Sequence, residues 1–149
     1  MHFSIKFTSF VFGLYSHINS KNVTKCLAYQ DTLKNTKNKP QKGDNMLQHI
    51  NTQQYLENIK NGSSVVILGA SWCPDCRRIE PILEVLAKEY EGKVEFYHIS
   101  VDSEGTLKDI LGVRAIPTLI GYKNGEEIGD RLVEPDSKTT IETLVKQTL

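Results

Sequence analysis

The chain has 149 residues, with 18 Lys and Arg against 18 Asp and Glu, a length that suits one compact domain and leaves little room for two. No stretch approaches the roughly 18 consecutive apolar residues of a membrane helix, so membrane insertion is not expected. Three cysteines, with Cys73 and Cys76 close together and Cys26 remote, make a disulfide-stapled scaffold a poor fit and point to chemistry at the close pair.

The balanced charge conceals an asymmetry: residues 1–45 carry seven Lys and two Asp, whereas residues 46–149 carry 11 basic and 16 acidic side chains. The basic stretch Lys34 to Pro40 lacks the aromatic and arginine pattern that reads bases, so nucleic acid is not an expected partner. Residues 21–45 are poor in large apolar side chains and are expected to form a disordered linker. Residues 1–20 hold a short apolar region (Phe7, Phe10, Val11, Phe12, Leu14, Tyr15) with a thin positive end and no small-x-small cleavage site, and no arginine precedes Arg77. That pattern fits neither a signal nor a transit peptide well. The expectation is therefore an N-terminal extension, 1–45, upstream of a natural start at Met46, with a cleaved targeting segment as the alternative. Cytoplasmic residence follows, or an exported or organellar one if residues 1–20 direct targeting. Cys26 reads as an incidental thiol.

From Met46 the pattern is that of a folded α/β unit. Tyr55, Leu56 and Ile59 predict a first helix over Thr52–Lys60, with Asn51 or Thr52 as cap and Asn61-Gly62 as stop. The run Val65-Val66-Ile67-Leu68 predicts a central strand covered on both faces. Pro74 to Tyr90 shows Ile79, Ile82, Leu83 and Leu86 at helical spacing with Pro81 inside, where proline is expected to kink the helix. A strand over Val94–Val101 and a short helix over Thr106–Leu111 follow. Asn124-Gly125 between Thr118–Tyr122 and Glu127–Val133 predicts an antiparallel hairpin, and Ser137–Leu149 a closing helix. The sum is a βαβ half followed by a ββα half.

Trp72-Cys73-Pro74-Asp75-Cys76 falls where a buried strand feeds a helix. A structural zinc site needs four ligands. Only Cys26, His49 and His98 accompany the pair as candidates, so no metal is expected. Thiol–disulfide chemistry fits better. Cys73 would stand at the helix N-terminus, where unpaired N–H groups and the helix dipole favour a thiolate, which makes it the attacking sulfur. Cys76, one turn on along the same face, would resolve the mixed disulfide. Pro74 suits the first helical position.

These residues resemble the thioredoxin family, in particular small bacterial members with a Trp-Cys-Pro-Asp-Cys centre. The similarity extends over residues 46–149, through Ala70, Trp72, Pro81, Asp102, Ile116-Pro117-Thr118 and Lys123-Asn124-Gly125. It implies a thioredoxin fold, a central mixed β-sheet flanked by helices, with Pro117 as a cis-proline against the redox pair. It also implies a monomer without bound cofactor, receiving electrons from NADPH through thioredoxin reductase and passing them to clients such as peroxiredoxins. Trp72, Pro74, Asp75, Ile116 and Val133 are the expected substrate contacts.

Departures from the family pattern carry their own expectations. Asp75 places a carboxylate where many members have glycine-proline between the cysteines, and it should oppose the dipole's pull on a Cys73 thiolate. The family's buried aspartate is replaced by Ile67, and the position of its lysine partner aligns with His98. His98, or water ordered by it, is then a candidate to take the proton from Cys76, against the alternative of a core histidine satisfied by a neighbour. Val133-Glu134-Pro135 stands near a usual glycine of the substrate groove, where Glu134 should narrow the client range. The expected function is a protein-disulfide reductase working through a reversible Cys73–Cys76 dithiol. Its rivals are an exported thiol oxidase or disulfide carrier, and a redox-inactive binding module.

Overall fold

The computed structural model describes residues 47–149. Five strands and four helices follow in the order β1 (Leu47–His49), α1 (Thr52–Asn58), β2 (Ser63–Gly69), α2 (Pro74–Glu89), β3 (Glu95–Ser100), α3 (Gly105–Ile110), β4 (Thr118–Lys123), β5 (Glu126–Val133) and α4 (Lys138–Thr148). The strands form one mixed sheet in the order β1-β3-β2-β4-β5. The first three run parallel, and β4 and β5 run antiparallel to their neighbours. The expectations for the linker, for Cys26 and for a start at Met46 lie outside the described residues.

The apolar run in β2 is central, as its composition predicts, and alternation splits its side chains between two cores. Val65 and Ile67 join Ile79, Leu83 and Leu86 of α2 with Ile141 and Leu144 of α4. Val66 and Leu68 join Tyr55 of α1 and Leu107 of α3 on the opposite face. Val65, Val66, Ile67 and Leu68 are at most 1% exposed, and each such burial contributes about 1.5–3 kcal/mol before entropy is counted. The sheet is thus covered on both faces by helix pairs.

Local chemistry sets the ends of these elements. A reciprocal capping box between Asn51 and Gln54 starts α1, and the Ser137 hydroxyl accepts from the Thr140 N–H to start α4. Asn124 and Gly125 both take positive φ, 51° and 88°, as the tight β4–β5 hairpin requires. Helix α2 starts with Pro74 at its first turn and continues through Pro81. One element has no counterpart in the predictions, the three-residue strand β1. It pairs with β3 so that His49 lies opposite His98.

Candidate functional site

The site forms where β2 ends and α2 begins. Cys73 is the residue that caps α2, in extended conformation, with Pro74 and Asp75 in the first turn and Cys76 following. Ala70, Cys73 and Cys76 make a small apolar cluster, with Ile116 and Val101 packed against it. Both cysteines are free thiols, 6% and 9% exposed. The Cys73 thiol faces the Ile116 carbonyl at 3.7 Å, and the Ile116–Pro117 peptide is cis.

The two thiols differ in electrostatic setting. Burial pushes the Cys76 thiol up to about 11, and a hydrogen bond with Cys73 and the Asp75 charge push the same way. At neutral pH Cys76 is therefore a thiol and cannot begin an exchange reaction. Asp75 also forms an ion pair with Arg78 at 3.1 Å, which partly occupies its charge. The spacing of three residues along one helix face carried that pairing in the sequence.

Trp72 projects from the rim, 62% exposed, yet it is anchored. Its indole N–H donates to both carboxylate oxygens of Asp102, at 3.0 and 3.1 Å. Asp102 follows β3, 30 residues away, and nothing in the local sequence announces this partnership. Val133 ends β5 opposite Thr118 and is 55% exposed, so it too stands on the rim beside Pro117. The structure brings Trp72, Cys73, Pro74, Asp75, Cys76, Ile116, Pro117 and Val133 to one end of the sheet.

His98 lies beneath this rim. It is the register neighbour of Ile67 across β2–β3, so an aliphatic side chain and an imidazole occupy adjacent positions in the sheet. Gly69 connects His98 to the thiols. A Cβ on Gly69 would sit 3.0 Å from His98 Nε2 and 3.1 Å from Cys76 Sγ. The imidazole nitrogen and the sulfur therefore flank one missing side chain. The expected satisfying neighbour for His98 is absent among the described residues, since Nδ1 is buried without a hydrogen-bond partner. The ring of His49, with its centroid 4.7 Å away and its plane tilted by 59°, further disfavours a charged His98. Burial first and His49 second push His98 down to about 4, so it is neutral at physiological pH. Both causes act the same way, since a buried site beside a second imidazole disfavours the charged form.

Among the described residues, no three of His, Cys, Asp and Glu are grouped so as to hold a metal ion.

A cysteine pair at the start of a helix beside a cis-proline, on a five-stranded mixed sheet, is also found in known proteins. The thioredoxin family model matches residues 46–147. This chain belongs to the thioredoxin family. It is 32% identical over 100 residues to a thioredoxin of Staphylococcus saprophyticus, across 67% of this chain and 95% of that one. It is 33% identical over 105 residues to the M-type chloroplastic thioredoxin of Pisum sativum, across 69% of this chain and 60% of the pea protein. The crystal structure of oxidised mitochondrial thioredoxin 3 from Saccharomyces cerevisiae superposes with a TM-score of 0.61 at 27% identity, across 67% of this chain and 93% of that one. Thioredoxins are thiol–disulfide oxidoreductases, and this chain shares that class of chemistry. The family carries no prosthetic group and uses a redox-active dithiol, supplied with electrons from NADPH through a reductase. These relatives include bacterial, chloroplastic and mitochondrial proteins. No helix among the described residues is long and apolar enough to cross a membrane.

Proposed function

We propose that this thioredoxin is a protein-disulfide reductase in which Cys73 attacks and Cys76 resolves. The observation that carries the assignment is the placement of the pair: Cys73 caps α2 with its thiol facing the Ile116 carbonyl of the cis-proline loop, while Cys76 lies inside the first turn of the helix. The Cys73 thiolate attacks one sulfur of a client disulfide, forming a mixed disulfide and releasing the other client sulfur, which takes up a proton. Cys76 then loses its proton and attacks the Cys73 sulfur, releasing the second client thiol. The client gains two electrons and two protons, and Cys73–Cys76 is left oxidised.

His98 is the group on hand for the second step. Its neutral imidazole can accept a hydrogen bond from the Cys76 thiol, directly or through a water, and steer the departing proton. With the imidazole held near 4, His98 serves as a polar guide toward solvent rather than as a strong resting base. Trp72, Pro74, Asp75, Ile116, Pro117 and Val133 form the client-binding rim. The domain spans residues 46–149 and acts as a monomer in a reducing compartment, with the cytoplasm as the first assignment. A thioredoxin reductase is its electron source, and disulfide-bearing proteins such as peroxiredoxins are its clients.

The test is trapping. Incubation of Cys76→Ser with an oxidised client should accumulate a mixed disulfide through Cys73, whereas Cys73→Ser should accumulate none. Equal trapping through Cys76 in the Cys73→Ser protein would reverse the assignment. Failure of the reduced protein to consume any disulfide would remove it.

A further inference from the structure

Among the described residues, two that are not glycine take left-handed backbone conformations. One is Asn124, a turn asparagine, and the other is Glu134 with φ 50°. Asparagine visits this region readily. Glutamate does not, and the conformation costs it about 1 kcal/mol or more. Such outliers gather at functional sites, and the inference runs from the observed outlier to a role.

The position of Glu134 gives that role its content. The residue follows Val133 at the end of β5, and its N–H donates to the Pro117 carbonyl at 2.8 Å. Pro135 behind it is buried, while Glu134 is exposed. The backbone is thus pinned to the cis-proline loop and buried at its next residue, and the carboxylate is carried into solvent beside Val133.

The other acids of the region are engaged or differently placed. Asp75 pairs with Arg78, and Asp102 holds the Trp72 indole. Asp136 lies beyond buried Pro135, next to the cap of α4. Glu134 makes no ion pair with any described residue. Arg114, three residues before Pro117, is the nearest cation in sequence to that loop. Residues 46–149 as a whole carry five more acidic than basic side chains, so the surrounding charge reinforces the carboxylate more than it cancels it.

We infer that Glu134 is a specificity-determining residue, which favours client disulfides flanked by Lys or Arg and disfavours those flanked by Asp or Glu. The inference rests on the assignment of Cys73 and Cys76 as the reacting dithiol. An exposed charge pair of this kind changes a rate constant by about 3- to 5-fold, and salt screens it.

The experiment uses the full, reduced chain and three disulfide peptides that differ only in carrying Lys, Ser or Glu beside the reacting cysteine. Each kcat/KM is divided by that for the Ser peptide, so a general loss of activity cancels. The wild-type protein should favour the Lys over the Glu peptide by about 5- to 10-fold at low salt, and lose most of that preference in about 0.5 M salt. Glu134→Gln should cut the preference several-fold, and Glu134→Lys should invert it. An unchanged ratio in both variants overturns the inference, as does Asp136→Asn moving the ratio as much as Glu134→Gln. A wild-type protein that reduces none of the peptides overturns the dithiol assignment and this inference together, whereas equal reduction of all three overturns this inference alone.

Discussion

His98 should make this domain unusually sensitive to mild acid. In the folded chain its imidazole is held near 4 against an ordinary 6.5, by burial and then by His49. As pH falls below 6.5 the unfolded chain takes up a proton that the folded chain refuses until about 4. The stabilisation is therefore complete above 6.5 and is lost as pH falls toward 4. The interval between the two values, at about 1.36 kcal/mol per unit, gives a ceiling of about 3 kcal/mol, most of which is lost by a pH of about 4.5. Carboxylates add their own acid dependence, so the quantity to measure is the difference between wild type and His98→Gln. Urea unfolding of the reduced proteins at neutral pH and at about 4.5 reports it. With a slope of about 1–3 kcal/mol per molar urea, the wild-type midpoint should fall by roughly 1–2 M more than that of the variant. His98→Leu, beside Ile67, provides the same comparison if the Gln variant fails to fold. Equal losses in wild type and variants, or a His98 resonance titrating near its ordinary value, would refute the reasoning.

Other consequences follow from the same contacts. Gly69→Ala places a methyl 3.0 Å from His98 Nε2 and 3.1 Å from Cys76 Sγ. The crowding should destabilise the reduced protein by about 1–2 kcal/mol after the gain from restricting the unfolded chain, lowering Tm by several degrees; an unchanged melting curve would show that the imidazole and thiol have room to spare. Because burial holds Cys76 up near 11, the unfolded chain ionises first as pH rises. Reduced protein should accordingly lose stability from the ordinary thiol range toward 11, and Cys76→Ser should lose less, as seen by denaturant unfolding across that range. Glu134→Gly relieves the left-handed strain at φ 50° and should stabilise the fold by up to about 1 kcal/mol in calorimetry. A destabilised variant would mean that the carboxylate contributes something the backbone geometry does not reveal.

What the sequence disclosed, and what it hid, follows the range of the interactions involved. The Val65–Leu68 run, the Asn124-Gly125 turn and the placement of Cys73 before Pro74 are local signals, and each element appears where they put it. Strand β1 escaped because three residues with one buried side chain, Leu47, carry no periodicity. Its consequence for the site, His49 against His98, was hidden with it. The behaviour of His98 depends on parallel register with Ile67 and on the absent side chain at Gly69, neither of which a linear motif encodes. Asp102 belongs to the residues that carry the family resemblance, but its grip on the Trp72 indole spans two strand ends. The conformation of Glu134 arises where β5 ends beside the Pro117 loop, a tertiary meeting that spacing could only approximate.

The parallel pairing of β1 with β3, and of β3 with β2, also has a practical meaning. Leu47 stands level with Phe96 and through it with Val65. Ala70 is five residues further along the direction of β2, a rise of about 16 Å. Leu47 thus enters the sheet well behind the thiols. In a chain cut back to Leu47, a fluorophore, affinity handle or surface tether joined at that residue would meet the sheet from the rear and leave the dithiol at the far end, free for redox work.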